Sequence, residues 1–187
     1  MPAASIEILP VAEAQLPALA GLAGVIWHEC YPGIISPAQI EFMLARMYSL
    51  ATLRTEMQAQ GIHFFQVVVA GRMVGFMSIG PTGTATVWKL HKLYLLAEFH
   101  GRGLGRRLLH QAEAEAGRLG ARRLILAVNK QNARAIAAYR RHGFVVAEAI
   151  QTDIGGGFVM DDFIMAKDLP VVCPAANFVP GAHAGTA

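Results

Sequence analysis

The chain has 187 residues, 54% of them hydrophobic and 16% charged, which suits one domain with a packed core. A net charge of +3, with no basic stripe interleaved with aromatics, argues against a nucleic-acid partner. Two cysteines, Cys30 and Cys173, are too few for a disulfide framework, and no apolar run approaches the ~20 residues of a membrane span.

In chain order, Ile6-Glu7-Ile8-Leu9 alternates like a short strand. Residues 11–28 predict a helix whose apolar face carries Leu16, Leu19, Ala20, Ala23 and Ile26. Pro32-Gly33 breaks the chain. Ser36 then caps a new helix, with Pro37 at its first position and Gln39 completing a capping box. That helix continues through Leu53 and Met57 to Gly61. Strands His63–Ala70 and Met73–Ile79 flank Gly71-Arg72 as a two-residue hairpin turn. After Pro81-Thr82-Gly83, a long strand from Ala85 to Leu96 feeds a glycine-rich turn, and a helix from Gly103 buries Leu104, Leu108, Ala112 and Leu119. Strand 122–128, helix 132–141 and strands 144–153 and 158–167 complete the order. Helices between strands of a strand-rich centre predict an α/β (α+β) sandwich on a mixed sheet of about seven strands. One domain covers residues 1–169, and the Ala-, Pro- and Gly-rich tail 170–187 reads as a flexible end or a docked arm.

The most informative stretch is the turn His100-Gly101-Arg102-Gly103-Leu104-Gly105-Arg106-Arg107. It places glycines and fixed positive charge at a helix start, where unpaired N–H groups and the helix dipole favour an anion. A P-loop is excluded because no Lys-Ser or Lys-Thr pair follows the glycines. A dinucleotide fingerprint fits poorly: the spacing is GxGxG, and the next strand, Leu124–Val128, ends in Asn129 rather than an acid. A tight strand-to-helix turn with solvating arginines is the plain alternative. Downstream, Asn132 is a good N-cap and Gly143 a good helix stop, and Asn132, Ala135 and Tyr139 share one helical stripe.

His100, Gly103 and Gly105 occupy the places of the acyl-CoA motif [Q/R]-x-x-G-x-[G/A], with His100 departing from the usual Gln or Arg. Asn132-x-x-Ala135-x-x-x-Tyr139-x-x-x-Gly143-Phe144 resembles the second signature of the same family, the GNAT superfamily of N-acetyltransferases. The segment Ile154–Met165, and Trp27-His28-Glu29-Cys30-Tyr31 with Ile40–Leu44, are similar to bacterial polyamine (spermidine/spermine) acetyltransferases. The superfamily resemblance spans roughly residues 5 to 169. It implies a sheet splayed between the fourth and fifth strands, with the backbone of Leu93, Tyr94 and Leu95 meeting the pantetheine arm of acetyl-CoA. It also implies that residues 100–106 meet the diphosphate, and that Asn132, Ala135 and Tyr139 line the arm.

Acetyl transfer needs an unprotonated amine, a donor for the oxyanion and a proton for the departing thiolate. Tyr139 is the candidate acid, and a backbone N–H of Leu93–Leu95 the candidate oxyanion donor. Cys30 and Cys173 lack a recognisable activating partner, which favours direct attack over an acetyl-enzyme. Two bases compete: His91, placed by simple alternation on the strand face of Leu93 and Leu95, and Glu29 near the acceptor entrance. A satisfied core histidine and an ordinary helix-end charge are their alternatives. Trp27, Glu29, Tyr31, Asp161 and Asp162 are candidate acceptor contacts, although the two aspartates could equally lie on an outward face. A polyamine acceptor would require several of Glu29, Glu41, Asp153, Asp161 and Asp162 to converge on one mouth.

The expectation is therefore an acetyl-CoA-dependent enzyme acting on a small primary amine. Peptide or lysine acetylation and a non-catalytic acyl-CoA sensor stay open. No metal spacing such as HxxxH occurs, and no nucleic-acid or membrane partner is expected. The absence of a leader-like start suggests a cytoplasmic protein. Relatives by resemblance are often dimers, so a homodimer is one option for the oligomeric state.

Overall fold

The computed structural model describes residues 5–170; the tail read above lies, from residue 171 on, outside the described residues. Seven strands form one sheet: β1 (Ile6–Pro10), β2 (His63–Val69), β3 (Arg72–Pro81), β4 (Val87–Leu95), β5 (Arg123–Asn129), β6 (Val145–Gly155) and β7 (Phe158–Asp168). Five α-helices accompany them: α1 (Leu16–Cys30), α2 (Pro37–Met47), α3 (Leu50–Gln58), α4 (Leu104–Arg118) and α5 (Ala133–Arg141). The spatial order is β1-β2-β3-β4-β5-β7-β6. Only β4 and β5 run parallel, with α4 as their crossover. The mixed α/β class expected from the sequence is the class observed.

That parallel pair is short. Val87–Leu90 pair with Arg123–Leu126, and there the ladder stops. Past it, β4 stays on β3 as far as Leu95, while β5 stays on β7 as far as Asn129. The sheet therefore opens into a cleft between its two halves. Leu96 N–H donates to Val74 O at 3.0 Å, so alternation turns the backbone groups of Leu93 and Leu95 away from β3 and into that gap.

The faces of β4 carry different layers. Leu95 lies against the first turn of α4, where its Cδ1 is 3.9 Å from the Cβ position of Gly105. Tyr94 points the other way, 5.9 Å ring to ring from Trp27 of α1. Leu16, Leu19, Ala23, Ile26 and Trp27 bury one face of α1. Leu104, Leu108, Leu109, Ala112 and Ala116 do the same for α4, while Leu119 falls at its C-cap.

Three expectations need correction. The helix from Ser36 does not continue to Gly61: Tyr48 caps α2, and the Ser49 hydroxyl accepts from Thr52 N–H to start α3. Ser36 does cap α2, but Gln39 does not return the bond. Its side-chain amide instead reaches Val159 O at 3.0 Å, tying α2 to β7. The hairpin turn is Ala70-Gly71, both at positive φ (50° and 78°), with Arg72 already paired to Val69.

Candidate active site

The turn that closes β4 is a cradle of unused amides. Gly101 and Gly103 sit at φ 76° and 77°, a region open to glycine at little cost. Gly103 is the N-cap of α4 and carries no capping side chain, and the first helical bond is Arg107 N–H to Gly103 O at 3.1 Å. Among the described residues, none of the N–H groups from Gly101 to Arg106 donates to a backbone or side-chain acceptor. A Cβ on Gly101 or Gly103 would meet nothing within 4 Å, so the concavity opens to solvent.

The surrounding charges are only partly those expected. Arg102 and Arg106 are exposed, and Arg102 lies over the Phe99 ring at 5.1 Å. Arg107 turns the other way and donates to Ile6 O at 3.2 Å, bracing α4 on β1. His100 points back into the strand, with its Nε2 2.9 Å from Leu95 O. That contact fixes the loop and occupies one of the backbone groups expected to be free. Leu93 N–H and C=O, and Leu95 N–H, remain turned toward the gap.

α5 closes the other side. Asn132 Oδ1 accepts from Ala135 N–H at 3.1 Å, as a cap should. Tyr139, half-buried, packs edge-on against Phe144 at 5.9 Å, and its hydroxyl makes no hydrogen bond among the described residues. Burial pushes that phenol up to about 12, so it holds its proton at neutral pH.

The four tyrosines of the chain, Tyr31, Tyr48, Tyr94 and Tyr139, gather here. Tyr31 and Tyr94 share a hydroxyl contact of 3.2 Å, Trp27 lies 4.5 Å from the Tyr31 ring, and Trp27 Nε1–H donates to Tyr48 at 3.3 Å. Burial first, then the neighbouring phenols, drives Tyr31 and Tyr94 well above the ordinary tyrosine range.

The acidic residues do not converge. Glu41 pairs with His28 at 2.7 Å, Asp153 accepts from Gly155 N–H at 2.8 Å, and Asp161 pairs with Lys130. Glu29 is exposed at the end of α1. Asp162 alone is buried, 7% exposed, with Oδ1 lacking any partner. Burial raises its pKa, Asp161 adds to the rise, and Lys89 and Lys130 oppose it. On β7 it lies opposite Asn129, the last residue of β5, beside the gap.

His91 departs from its expected position. Ser78 pairs with Lys92 and Ile79 with Leu90, so His91 is the extra residue of a β-bulge. The bulge breaks alternation and turns the ring away from the face of Leu93 and Leu95. Its Nε2 is buried without a partner, 3.4 Å from the Cβ position of Gly80. Burial, then Lys89 and Lys92, pulls it down to about 4, which keeps it neutral at pH 7.

Sequence reasoning missed Lys92. It is 2% exposed, with its ammonium 2.6 and 2.7 Å from the Glu56 carboxylate and 5.6 and 5.5 Å from the Tyr48 and Phe64 ring centres. This buried pair pins α3 beneath the aromatic wall. A lysine alternating with apolar residues in a strand would ordinarily be read as solvent-facing, and Glu56 is 36 positions away.

A split sheet with unpaired amides at one lip, an aromatic wall at the other and a protonated phenol on α5 is suited to an extended, anion-bearing ligand held edge-on. The chain belongs to the acetyltransferase (GNAT) family, whose family model matches residues 26–144. An uncharacterised N-acetyltransferase of Mycobacterium tuberculosis is 35% identical over 99 residues, covering 53% of this chain and 62% of that relative's length. A spermidine N(1)-acetyltransferase of Thermoplasma acidophilum is 29% identical over 161 residues, 84% of this chain and 96% of the relative. The crystal structure of PaiA N-acetyltransferase from T. acidophilum, in complex with coenzyme A, superposes with a TM-score of 0.73 at 29% identity. It covers 88% of this chain and 99% of that one.

Proposed function

We propose that this protein transfers an acetyl group from acetyl-CoA to the primary amine of a small cationic acceptor, by direct attack. The observation that carries the reading is the run of unpartnered amides from Gly101 to Arg106 at the mouth of a split sheet. Amides that no protein acceptor uses, at a helix start open to solvent, are available to an anion, and a diphosphate satisfies several at once. The coenzyme A complex of the Thermoplasma relative supports the same assignment.

Acetyl-CoA would supply a thioester-activated acetyl group. The chain's own residues supply the rest. Amides 101–106, with Arg102 and Arg106 beside them, hold the diphosphate. Leu93 and Leu95 N–H offer donors to the acyl arm and to the oxyanion, while Tyr94 backs them from the aromatic wall. Asn132 and Ala135 shape the α5 side, and Leu104 and Gly105 begin the cradle helix. Tyr139 delivers a proton to the departing sulfur, a role its elevated pKa keeps available across neutral pH.

On the acceptor side, Trp27, Tyr31 and Tyr94 form an aromatic wall and Asp162 receives the ammonium. A carboxylate with a raised pKa is closer to matching an amine and can take its proton. This reading gives Asp162 the task first considered for His91, whose Nε2 is sealed beside Gly80. Glu29 stands at the exposed entrance, and Asp161 braces Lys130.

A polyamine acceptor is favoured by the name of the Thermoplasma relative. The site itself offers one buried carboxylate rather than a row of them. Thiol release from acetyl-CoA, measured against polyamines, monoamines, aminoglycosides, amino acids and peptides, tests both. Turnover of a small amine supports the proposal, and comparable rates for spermidine and a matched monoamine place recognition at one ammonium. Turnover confined to peptides, or none with any amine, contradicts it.

A further inference from the structure

Away from the cleft, α4 and the end of α5 bring three potential metal ligands together. His110 and Glu113 stand at i and i+3 on α4, and His142 caps α5. Their ligand atoms all lie within 4.8 Å of one another. His142 Nε2 is 3.4 Å from Glu113 Oε1, and the two imidazole rings are 4.5 Å apart at 65°. A tetrahedral ion with bonds of ~2.1 Å needs ligand atoms about 3.4 Å apart, so small side-chain rotations would complete the site.

A second observation points the same way. The His142 side chain is only 9% exposed, yet its Nε2 has no hydrogen-bond partner. Buried imidazole nitrogens ordinarily find one. We propose that His110, Glu113 and His142 bind one divalent metal ion of borderline softness, of which Zn2+ is the type, clamping α4 to the end of the helix that carries Tyr139.

The surroundings suit such an ion in part. His110 is exposed, giving the ion a way in. Lys167 Nζ lies 2.6 Å from Glu113 Oε1, which orients the carboxylate and leaves Oε2 free. The same ammonium, with Arg106 nearby, repels a dication. Affinity should therefore be micromolar rather than that of a closed structural zinc site.

The test is independent of acyl transfer. Zinc chloride is titrated calorimetrically into the full chain without an affinity tag, and Tm is followed in parallel. One equivalent should bind, raising Tm by several degrees at ~100 times the dissociation constant. His110→Ala, at an exposed position, and Glu113→Gln should each weaken binding by at least ~10-fold. Lys167→Met should bind more tightly than wild type. Absence of saturable binding, wild-type affinity in both ligand variants, or no gain in Lys167→Met would overturn the site.

Discussion

The two lips of the cleft are built from different materials. The α4 lip is backbone: three glycines within five residues, two of them at positive φ, present amides that no side chain touches. The opposite lip is side chain: Trp27 of α1, Tyr31 at its C-cap and Tyr94 from β4 meet although up to 67 positions separate them in the chain, and Asp162 is buried on β7 beside the gap. A backbone cradle can hold any ligand bearing the right anion, whatever lies opposite. A side-chain wall can be altered one residue at a time, so under the proposed function acceptor choice can change while the cradle stays fixed.

Substitutions can break this division of labour. Tyr139→Phe removes the proposed proton donor and nothing from either lip, so kcat should fall by about 10²- to 10⁴-fold with CoA affinity within a few-fold of wild type. An unchanged kcat would end its role as acid. Gly103→Asp forces a side chain onto a φ of 77° and sets a negative charge at the amides; calorimetry should show CoA affinity falling by at least ~100-fold. Gly103→Asn tolerates the backbone and adds no charge, so its loss should be much smaller.

Asp162→Asn should raise KM for the amine by about 10- to 100-fold, the worth of a charge-assisted pair, and lower kcat as well because the proposed base is lost, with CoA affinity unchanged. A fall in CoA affinity instead would merge the two lips into one site. The smallest effect concerns His91. The unfolded chain takes up a proton near pH 6.5 that the folded chain refuses until about pH 4, so stability is lost as pH falls through that window and not above it. Denaturant unfolding should show wild type losing about 2 kcal/mol more than His91→Phe between pH 7.5 and 4.5. Equal losses would mean the ring is not sealed in the folded protein.

The same contrast explains what could be read from the chain. The cradle was legible because it is contiguous: glycines, arginines and an amphipathic helix start within a few residues, and the capping of Asn132 on Ala135 is equally local. The aromatic wall was legible only as a resemblance. Asp162 was visible as an acid on a strand but not as a buried one, since alternation alone does not say which of Asp161 and Asp162 turns inward. The His91 bulge depends on a register shift against β3, which no period in β4 reveals. The break at Tyr48-Ser49 did carry a signal: Ser49 with Thr52 reads as an N-cap, hidden because the apolar stripe continues across it. At the hairpin, Gly71 marked the turn, but Ala70 at positive φ, rare outside glycine, shifted it by one residue.

The most direct test of the central claim is an amide 15N–1H titration of the protein with coenzyme A. The largest shifts should fall on Gly101, Arg102, Gly103, Leu104, Gly105 and Arg106, with Leu93 and Leu95 following as the arm enters the gap. Saturable binding that leaves those amides unmoved and perturbs another face of the sheet would contradict the account.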